Sequence, residues 1–487
     1  MQPQAKTAEG SRHFMQGRRA FLLSSAATAA AFFTGPSIAV SPRQPNILFI
    51  LADDLGYADL SCYGRRDYQT PAIDSLATHG MRFTQAYANS AVCSATRVSL
   101  ITGRYQYRLP VGLEEPLGPG NIGLPPEHPT LPSLLRKAGY TTALIGKWHL
   151  GALPDFDPGR SGYDHFWGIR GGAVDYFTHK AMGAPDLWDD QHQIRQQGYL
   201  TDLLGDKAVE FIGEHSRSAK PWFMSLHFTA PHWPWEGPAD EAEARRLDES
   251  RSPWAIAHYD GGSSKTYAQM VTGMDRQIAR LIAALKRLDL EKDTIVVFTS
   301  DNGGERFSDT WPFSGRKTEL LEGGLRIPAI IRWPGRIGEG AISDQMMASM
   351  DWLPTLLAIA GTKPDPAYPP DGMDLSPILA GSSPASRRLY WRYLNMNQEA
   401  CRSGAWKYLK ILDNSFLFNV VDDPLERANL KERYPEKFAE LKAAFDSWNK
   451  TMLPLNLAAR TGGSTGAEVA DRFGVSERRN LLPTSKD

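Results

Sequence analysis

Ile47-Leu48-Phe49-Ile50-Leu51-Ala52-Asp53-Asp54-Leu55-Gly56 is an unbroken apolar run of strand length that stops at two carboxylates and a glycine. A run of this kind is a strand buried on both faces, and the polar residues after it form a loop at its carboxyl end. The design recurs along the chain. Ile295–Phe298 leads into Ser300-Asp301-Asn302-Gly303-Gly304, Trp222–Phe228 into Ala230-Pro231-His232, and Thr141–Ile145 into Gly146-Lys147-Trp148-His149. Ile327–Ile331 is a further strand candidate.

Segments with helical spacing lie between these strands. Thr130–Ala138 places Leu131, Leu134 and Leu135 on one face, and Thr201–His215 and Lys265–Leu288 carry apolar residues at intervals of three and four. Met350–Ala360 reads as another helix, with Pro354 early in its course. Strands alternating with helices predict an α/β fold: a large mixed, mostly parallel sheet flanked by helices. Ligands of such sheets sit beyond the carboxyl ends of the strands, where each polar cluster above falls.

Near residue 375 the pattern changes. Leu389–Leu394, Ala405–Leu412 and Phe416–Val420 are short, aromatic-rich strand candidates, and Tyr434–Asn449 is an amphipathic helix. The expected organisation is a targeting segment at 1–41, a main catalytic domain at 42–375, a small C-terminal antiparallel sheet with one helix at 376–455, and a loosely ordered tail at 456–487.

The 487 residues are 42% hydrophobic and 22% charged with a net charge of −1, ordinary values for a globular enzyme. No basic bias points to nucleic acid, and no sustained Lys/Arg run points to a lipid surface. An anionic substrate would have to be attracted by local charge. At the N-terminus, Arg18-Arg19-Ala20-Phe21-Leu22-Leu23 opens an Ala-rich apolar run ending at Phe33. Basic residues precede a run too short to span a bilayer comfortably, which is the layout of an export signal. The paired arginines resemble the twin-arginine type. That resemblance implies twin-arginine export machinery as a partner, a periplasmic or secreted protein, and no stable membrane span once the signal is removed. The three cysteines, Cys62, Cys93 and Cys401, are too few for a disulfide framework.

Cys93-Ser94-Ala95-Thr96-Arg97, followed by Leu100-Ile101-Thr102-Gly103, is similar to the signature of the type I sulfatases, the formylglycine-dependent branch of the alkaline phosphatase superfamily. Further blocks in the family's order are Gly146-Lys147-Trp148-His149-Leu150-Gly151, Ala230-Pro231-His232, Gly315-Arg316-Lys317, Glu322-Gly323-Gly324-Leu325-Arg326-Ile327-Pro328, and the strand and turn over Phe416–Leu430. The blocks most resemble those of the arylsulfatase A and N-acetylgalactosamine-6-sulfatase type. Ala95 departs from the commonest form of the signature, which has Pro there; members with Ala exist.

The resemblance implies an alkaline phosphatase-like fold and conversion of Cys93 to formylglycine by a dedicated modifying enzyme. The hydrated aldehyde offers one hydroxyl to attack sulfur and a second to expel sulfate as the carbonyl re-forms. A helix starting near Ser94 would turn its N-terminus toward the anion. Asp53, Asp54, Asp301 and the amide oxygen of Asn302 are hard oxygen ligands. With position 93 they form the expected metal set, suited to Ca²⁺ or Mg²⁺ over zinc, and the family resemblance points to Ca²⁺. By the same resemblance Arg97 and Lys147 hold the formylglycine hydrate and Lys317 touches the sulfate. His232 protonates the leaving alcohol, assisted by Lys317, and His149 is the base that helps eliminate sulfate. Three carboxylates would repel a sulfate unless cations offset them, and one opposite charge at 4 Å contributes ~4 kcal/mol of Coulomb energy at an effective dielectric of ~20. Trp233–Trp235 is either an apolar wall for an aryl or sugar group or part of the core.

The expected activity is cleavage of a sulfate ester in a sulfated carbohydrate, with aryl sulfates as surrogates. A formylglycine-dependent phosphonate monoester hydrolase or phosphodiesterase would share the same core. A non-catalytic glycan-binding protein on this scaffold would have lost a catalytic position, yet each one named above is occupied. A phosphatase with two transition metals needs a Ser or Thr nucleophile and additional Asp/His ligands, whereas position 93 is Cys.

Overall fold

The computed structural model describes residues 44–462 apart from 119, 251, 253 and 254, so the targeting segment expected at 1–41 lies outside the described residues. The central sheet contains β1 (Asn46–Ala52), β2 (Met81–Phe83), β3 (Thr141–Lys147), β4 (His165–Ile169), β5 (Trp188–Asp189), β6 (His192–Gln193), β7 (Trp222–His227), β8 (Thr294–Ser300), β9 (Ala329–Arg332) and β10 (Ala341–Ser343). Their spatial order is β10-β2-β9-β8-β1-β7-β3-β4-β5-β6. The central strands β8, β1, β7, β3 and β4 run parallel to their neighbours. Antiparallel pairing begins at β9 on one side and at β5 on the other.

The composition of β1 explains why it sits in the middle. All seven of its residues are buried. Leu48, Ile50 and Ala52 share one core with residues of the helices Pro71–Thr78, Leu200–His215 and Ser264–Arg287. Ile47, Phe49 and Leu51 face the opposite way and share a second core with the helices Cys93–Thr102, Leu131–Lys137 and Trp352–Ile359. A strand covered by helices on both faces is apolar along its length, here without a break from Ile47 to Ala52. Burying each such side chain contributes about 1.5–3 kcal/mol.

Two boundaries differ from the sequence expectation in ways that matter for the site. β3 runs two residues further, through Gly146 and Lys147, because Gly146 stays in register with His227 of β7. Gly146 has φ +117°, and a Cβ there would lie 1.9 Å from the His227 carbonyl oxygen, so only glycine allows this close approach. The expected helix from Met350 divides into a 3₁₀ turn at Ser349–Asp351 and an α-helix at Trp352–Ile359.

The C-terminal part is a four-stranded antiparallel sheet of β11 (Arg388–Tyr393), β12 (Gln398–Ser403), β13 (Trp406–Ile411) and β14 (Asn414–Asn419). β12 was not among the expected strands. Gln-Glu-Ala-Cys-Arg-Ser has no apolar run, and it is a strand because β11 and β13 pair with it on both sides. The helix Pro435–Asn449 covers one face through Leu441 and Phe445. The other face packs Leu389, Trp391 and Tyr393 against Tyr87, Ala91, Val92 and Ala95 of the main body. Glu322 ties the two parts together from a fully buried position. It accepts from the Tyr87 hydroxyl (2.7 Å), Arg326 Nε (2.7 Å), Arg402 Nη1 (3.1 Å) and Lys407 Nζ (3.1 Å). Of the tail expected to be loose from 456, the stretch up to Gly462 is hydrogen-bonded to the body; residues 463–487 lie outside the described residues. Among the described residues no helix is long and apolar enough to cross a membrane.

Candidate active site

Because β8, β1, β7 and β3 are adjacent and parallel, their carboxyl ends open side by side. Asp53 and Asp54 follow β1, and Asp301 and Asn302 follow β8. His232 lies beyond β7, while Lys147 ends β3 and His149 follows it. Cys93 opens the helix Cys93–Thr102, whose residues are all buried, and Lys317 arrives on the loop after Asn302. These nine residues and Arg97 of the same helix as Cys93 are all buried, the most open being Lys317 at 8%.

The contacts alternate in charge. Lys147 Nζ donates to Asp53 Oδ2 at 2.6 Å, and Lys317 Nζ to Asp54 Oδ2 at 2.6 Å. Arg97 donates through Nε (3.1 Å) and Nη2 (2.8 Å) to Asp301 Oδ2, and through Nη1 to the Lys147 carbonyl at 3.1 Å. Arg97 and Lys147, expected to face position 93, therefore direct these bonds to the carboxylates. Asn302 Nδ2 donates to Asp54 Oδ1 at 2.7 Å, which leaves Asn302 Oδ1 buried without a hydrogen-bond partner. Asp53 Oδ1 is likewise buried and without one. Oxygens in this state are what a hard cation satisfies. Asp53, Cys93 and Asp301 present ligand atoms within 4.8 Å of one another, as do Asp53, Asp54 and His232. The residues thus fit an oxygen-coordinated divalent cation. Burial raises the Asp53 carboxyl, reinforced by Asp301. At Asp301 burial pushes the same way, but Arg97 and Lys147 hold it below the ordinary value.

Each histidine has one nitrogen committed to a carbonyl. His149 Nε2 lies 2.9 Å from the Leu117 oxygen, so it carries the proton and leaves Nδ1 as an acceptor 3.4 Å from Cys93 Sγ. His232 Nδ1 lies 2.7 Å from the Trp233 oxygen, which leaves Nε2 facing Asp54 Oδ2 at 3.5 Å. Burial, helped by Lys147 at His149 and by Lys317 at His232, holds both imidazoles well below the usual range and therefore neutral. Burial raises the Cys93 thiol, against the pull of Lys147 and Lys317, so an unmodified side chain there is a protonated thiol. Asp54 and His149 both hold positive φ (63° and 57°), a conformation unusual outside glycine and enriched at functional sites.

Three participants were not among the expected site residues. His227, the last residue of β7, lies 3.1 Å through Nδ1 from the Lys147 carbonyl and 3.3 Å from Arg97 Nη1, and burial pushes it down to about 3. A histidine closing a strand whose loop carries His232 was a signal available in the sequence. The Leu117 carbonyl and the close approach of Gly172 to the His149 ring carry no sequence signal of their own. The ambiguity at Trp233–Trp235 resolves residue by residue. Trp235 is in the core at 1% exposure, while Trp233 is half-buried with its ring 4.3 Å from that of His232.

The sulfatase family model matches residues 45–362, and that of the N-sulphoglucosamine sulphohydrolase C-terminal region matches 315–448. N-acetylgalactosamine-6-sulfatase of Canis lupus familiaris is 30% identical over 383 residues, covering 73% of this chain and 70% of that one. Arylsulfatase A of Homo sapiens is 31% identical over 423 residues, covering 78% of each. Among solved structures, Ps i-CgsB in complex with k-i-k-neocarrahexaose superposes with a TM-score of 0.76 at 29% identity, covering 86% of this chain and 95% of that one. The chain belongs to the sulfatase family. It is an enzyme that hydrolyses sulfate esters.

Proposed function

We propose that this sulfatase acts on a sulfated carbohydrate, with formylglycine made from Cys93 as its nucleophile and Ca²⁺ held by Asp53, Asp54, Asp301 and Asn302. The observation that carries the reading is the position of Cys93: its Sγ lies among the Asp53 and Asp301 oxygens and 3.4 Å from an imidazole nitrogen free to accept a proton. Formylglycine supplies a hydrated aldehyde, with one hydroxyl to displace the alcohol from sulfur and another whose deprotonation lets position 93 shed sulfate. The cation supplies positive charge to the sulfate oxygens.

In this assignment Arg97 and Lys147 fix Asp301 and Asp53 and offset their charge, and Lys317 extends from Asp54 toward the sulfate. His232 Nε2 delivers a proton to the leaving alcohol. An arriving sulfate adds negative charge beside this nitrogen and favours its protonation. His149 Nδ1 takes the proton from position 93. A sugar substrate is supported by the named activities of the relatives and by Trp233, whose half-buried face lies next to the proton donor. The Arg18-Arg19 segment supports delivery by twin-arginine export to the periplasm or beyond.

Mass spectrometry of the tryptic peptide 83–97 from active enzyme tests this directly. Position 93 should have lost one sulfur and two hydrogens and gained one oxygen, and Cys93→Ala should abolish turnover. Unmodified cysteine throughout a fully active preparation would overturn the assignment. Faster turnover of an aryl phosphonate monoester than of the matching aryl sulfate would favour the phosphonate hydrolase alternative.

A further inference from the structure

The segment that follows the helix Pro435–Asn449 crosses back to the loop that holds His149. Glu115 and Thr461 form an isolated parallel bridge. Glu115 N donates to the Arg460 carbonyl at 2.8 Å and Gly462 N to the Glu115 carbonyl at 2.5 Å. Arg460 N donates to Glu114 Oε2 at 3.0 Å. From β11, the Tyr393 hydroxyl clamps both partners, 2.7 Å from the Gly462 oxygen and 3.2 Å from the Glu115 oxygen. Leu394 N reaches Glu115 Oε2 at 2.8 Å. The loop held in this way, residues 114–118, carries Leu117. Leu117 N donates to Ser94 Oγ at 2.7 Å, and its carbonyl is the group that fixes His149 Nε2 at 2.9 Å. The crossing segment adds little core. Ala459 is buried, but Leu455 and Leu457 are 43% and 40% exposed. Its contribution is directional hydrogen bonding to one loop.

We infer that residues 459–462, clamped by Tyr393, form a positioning strap for His149 that acts through the 114–118 loop. The strap fixes which imidazole nitrogen faces position 93. The inference rests on the proposed role of His149 and extends it to the far end of the fold. A step that follows departure of the alcohol lowers kcat and KM in equal proportion and cancels from kcat/KM. Loosening a group that acts only there should leave that signature, which a general loss of fold would not.

The test uses the full-length enzyme carrying Gly462→Pro, which deletes the donor to Glu115, or the milder Tyr393→Phe, with His149→Ala as reference. In the unconverted cysteine form, amide hydrogen exchange over 114–118 should accelerate in both strap variants with the rest of the sheet unchanged. In converted enzyme, kcat and KM on an aryl sulfate should fall together by about tenfold, in the pattern of His149→Ala. Wild-type kcat in both strap variants, with exchange over 114–118 accelerated, would overturn the strap and leave the role of His149 standing. Loss of kcat/KM in the strap variants but not in His149→Ala would also overturn it. If all three variants lose kcat/KM alike, the strap holds and the assignment of His149 to the later step fails.

Discussion

Gly172→Ala should cripple turnover while leaving the fold intact. A Cβ built on Gly172 lies 2.6 Å from His149 Cε1 and 2.8 Å from Nε2, against ordinary contacts of about 3.5–4.0 Å. The ring must therefore retreat by roughly 1 Å. It cannot do so freely, because Nε2 is bonded to the Leu117 oxygen at 2.9 Å and Nδ1 faces Cys93 Sγ at 3.4 Å. A retreat of that size takes the first bond beyond hydrogen-bonding reach. Misplacing a catalytic group by about 1 Å costs on the order of 10²-fold in rate. The accompanying overpacking should cost about 1–3 kcal/mol of stability. The assay is steady-state turnover of an aryl sulfate, normalised to the fraction of position 93 converted, alongside urea unfolding. Gly213→Ala is the control. Nothing lies within 4 Å of its built Cβ, and it sits in the helix Leu200–His215, so activity should hold and stability rise by about 0.5–1 kcal/mol. Wild-type kcat in fully converted Gly172→Ala would refute the argument that contact with this glycine confines the imidazole.

Other consequences follow from charge burial. The Glu115 carboxyl is pushed up to about 8 by burial, with one hydrogen bond from Leu394 N in partial opposition. The folded state then binds a proton that the unfolded chain releases above about pH 4.5, so stability should fall as pH rises from there to about 8, by up to ~5 kcal/mol at ~1.4 kcal/mol per pKa unit. Glu115→Gln should flatten that slope in pH-dependent urea unfolding and stabilise the protein above pH 8; an unchanged slope counts against a buried neutral carboxyl. Glu322→Ala strips Arg326, Arg402 and Lys407 of a shared buried partner and should cost about 3–5 kcal/mol, read as a lowered thermal midpoint. Chelation with EGTA should abolish activity and lower the thermal midpoint, and Ca²⁺ should restore both; at one hundred times its Kd a bound ion adds about 2.7 kcal/mol. An EGTA-treated enzyme of unaltered stability and rate argues against Ca²⁺ at the oxygen-ligand site.

Much of the architecture could be read from short stretches. Apolar runs stopping at Asp53-Asp54, at Asp301-Asn302 and before His232 located three strands and their functional ends, because burial on both faces leaves a strand no polar alternative. β12 is illegible in the sequence for the opposite reason. Gln398–Ser403 carries no apolar run, and its hydrogen-bonding partners on either side make it a strand. The site residues were legible as a motif, while their partnerships were not. Arg97 binds Asp301, and His227 joins the site from the end of β7 without belonging to any motif block.

The sequence alone determined the chemical inventory: a cysteine at a helix start, paired carboxylates, lysines and histidines at strand ends, each set by residue type and near neighbours. The tertiary structure decided which of them meet, which histidine nitrogen stays open, and that Trp233 lies half-buried beside the His232 ring while Trp235 fills the core. Those outcomes depend on contacts between residues far apart in the chain, Lys147 with Asp53 across 94 positions and Lys317 with Asp54 across 263, and such pairings exist only once the sheet has brought its carboxyl ends together.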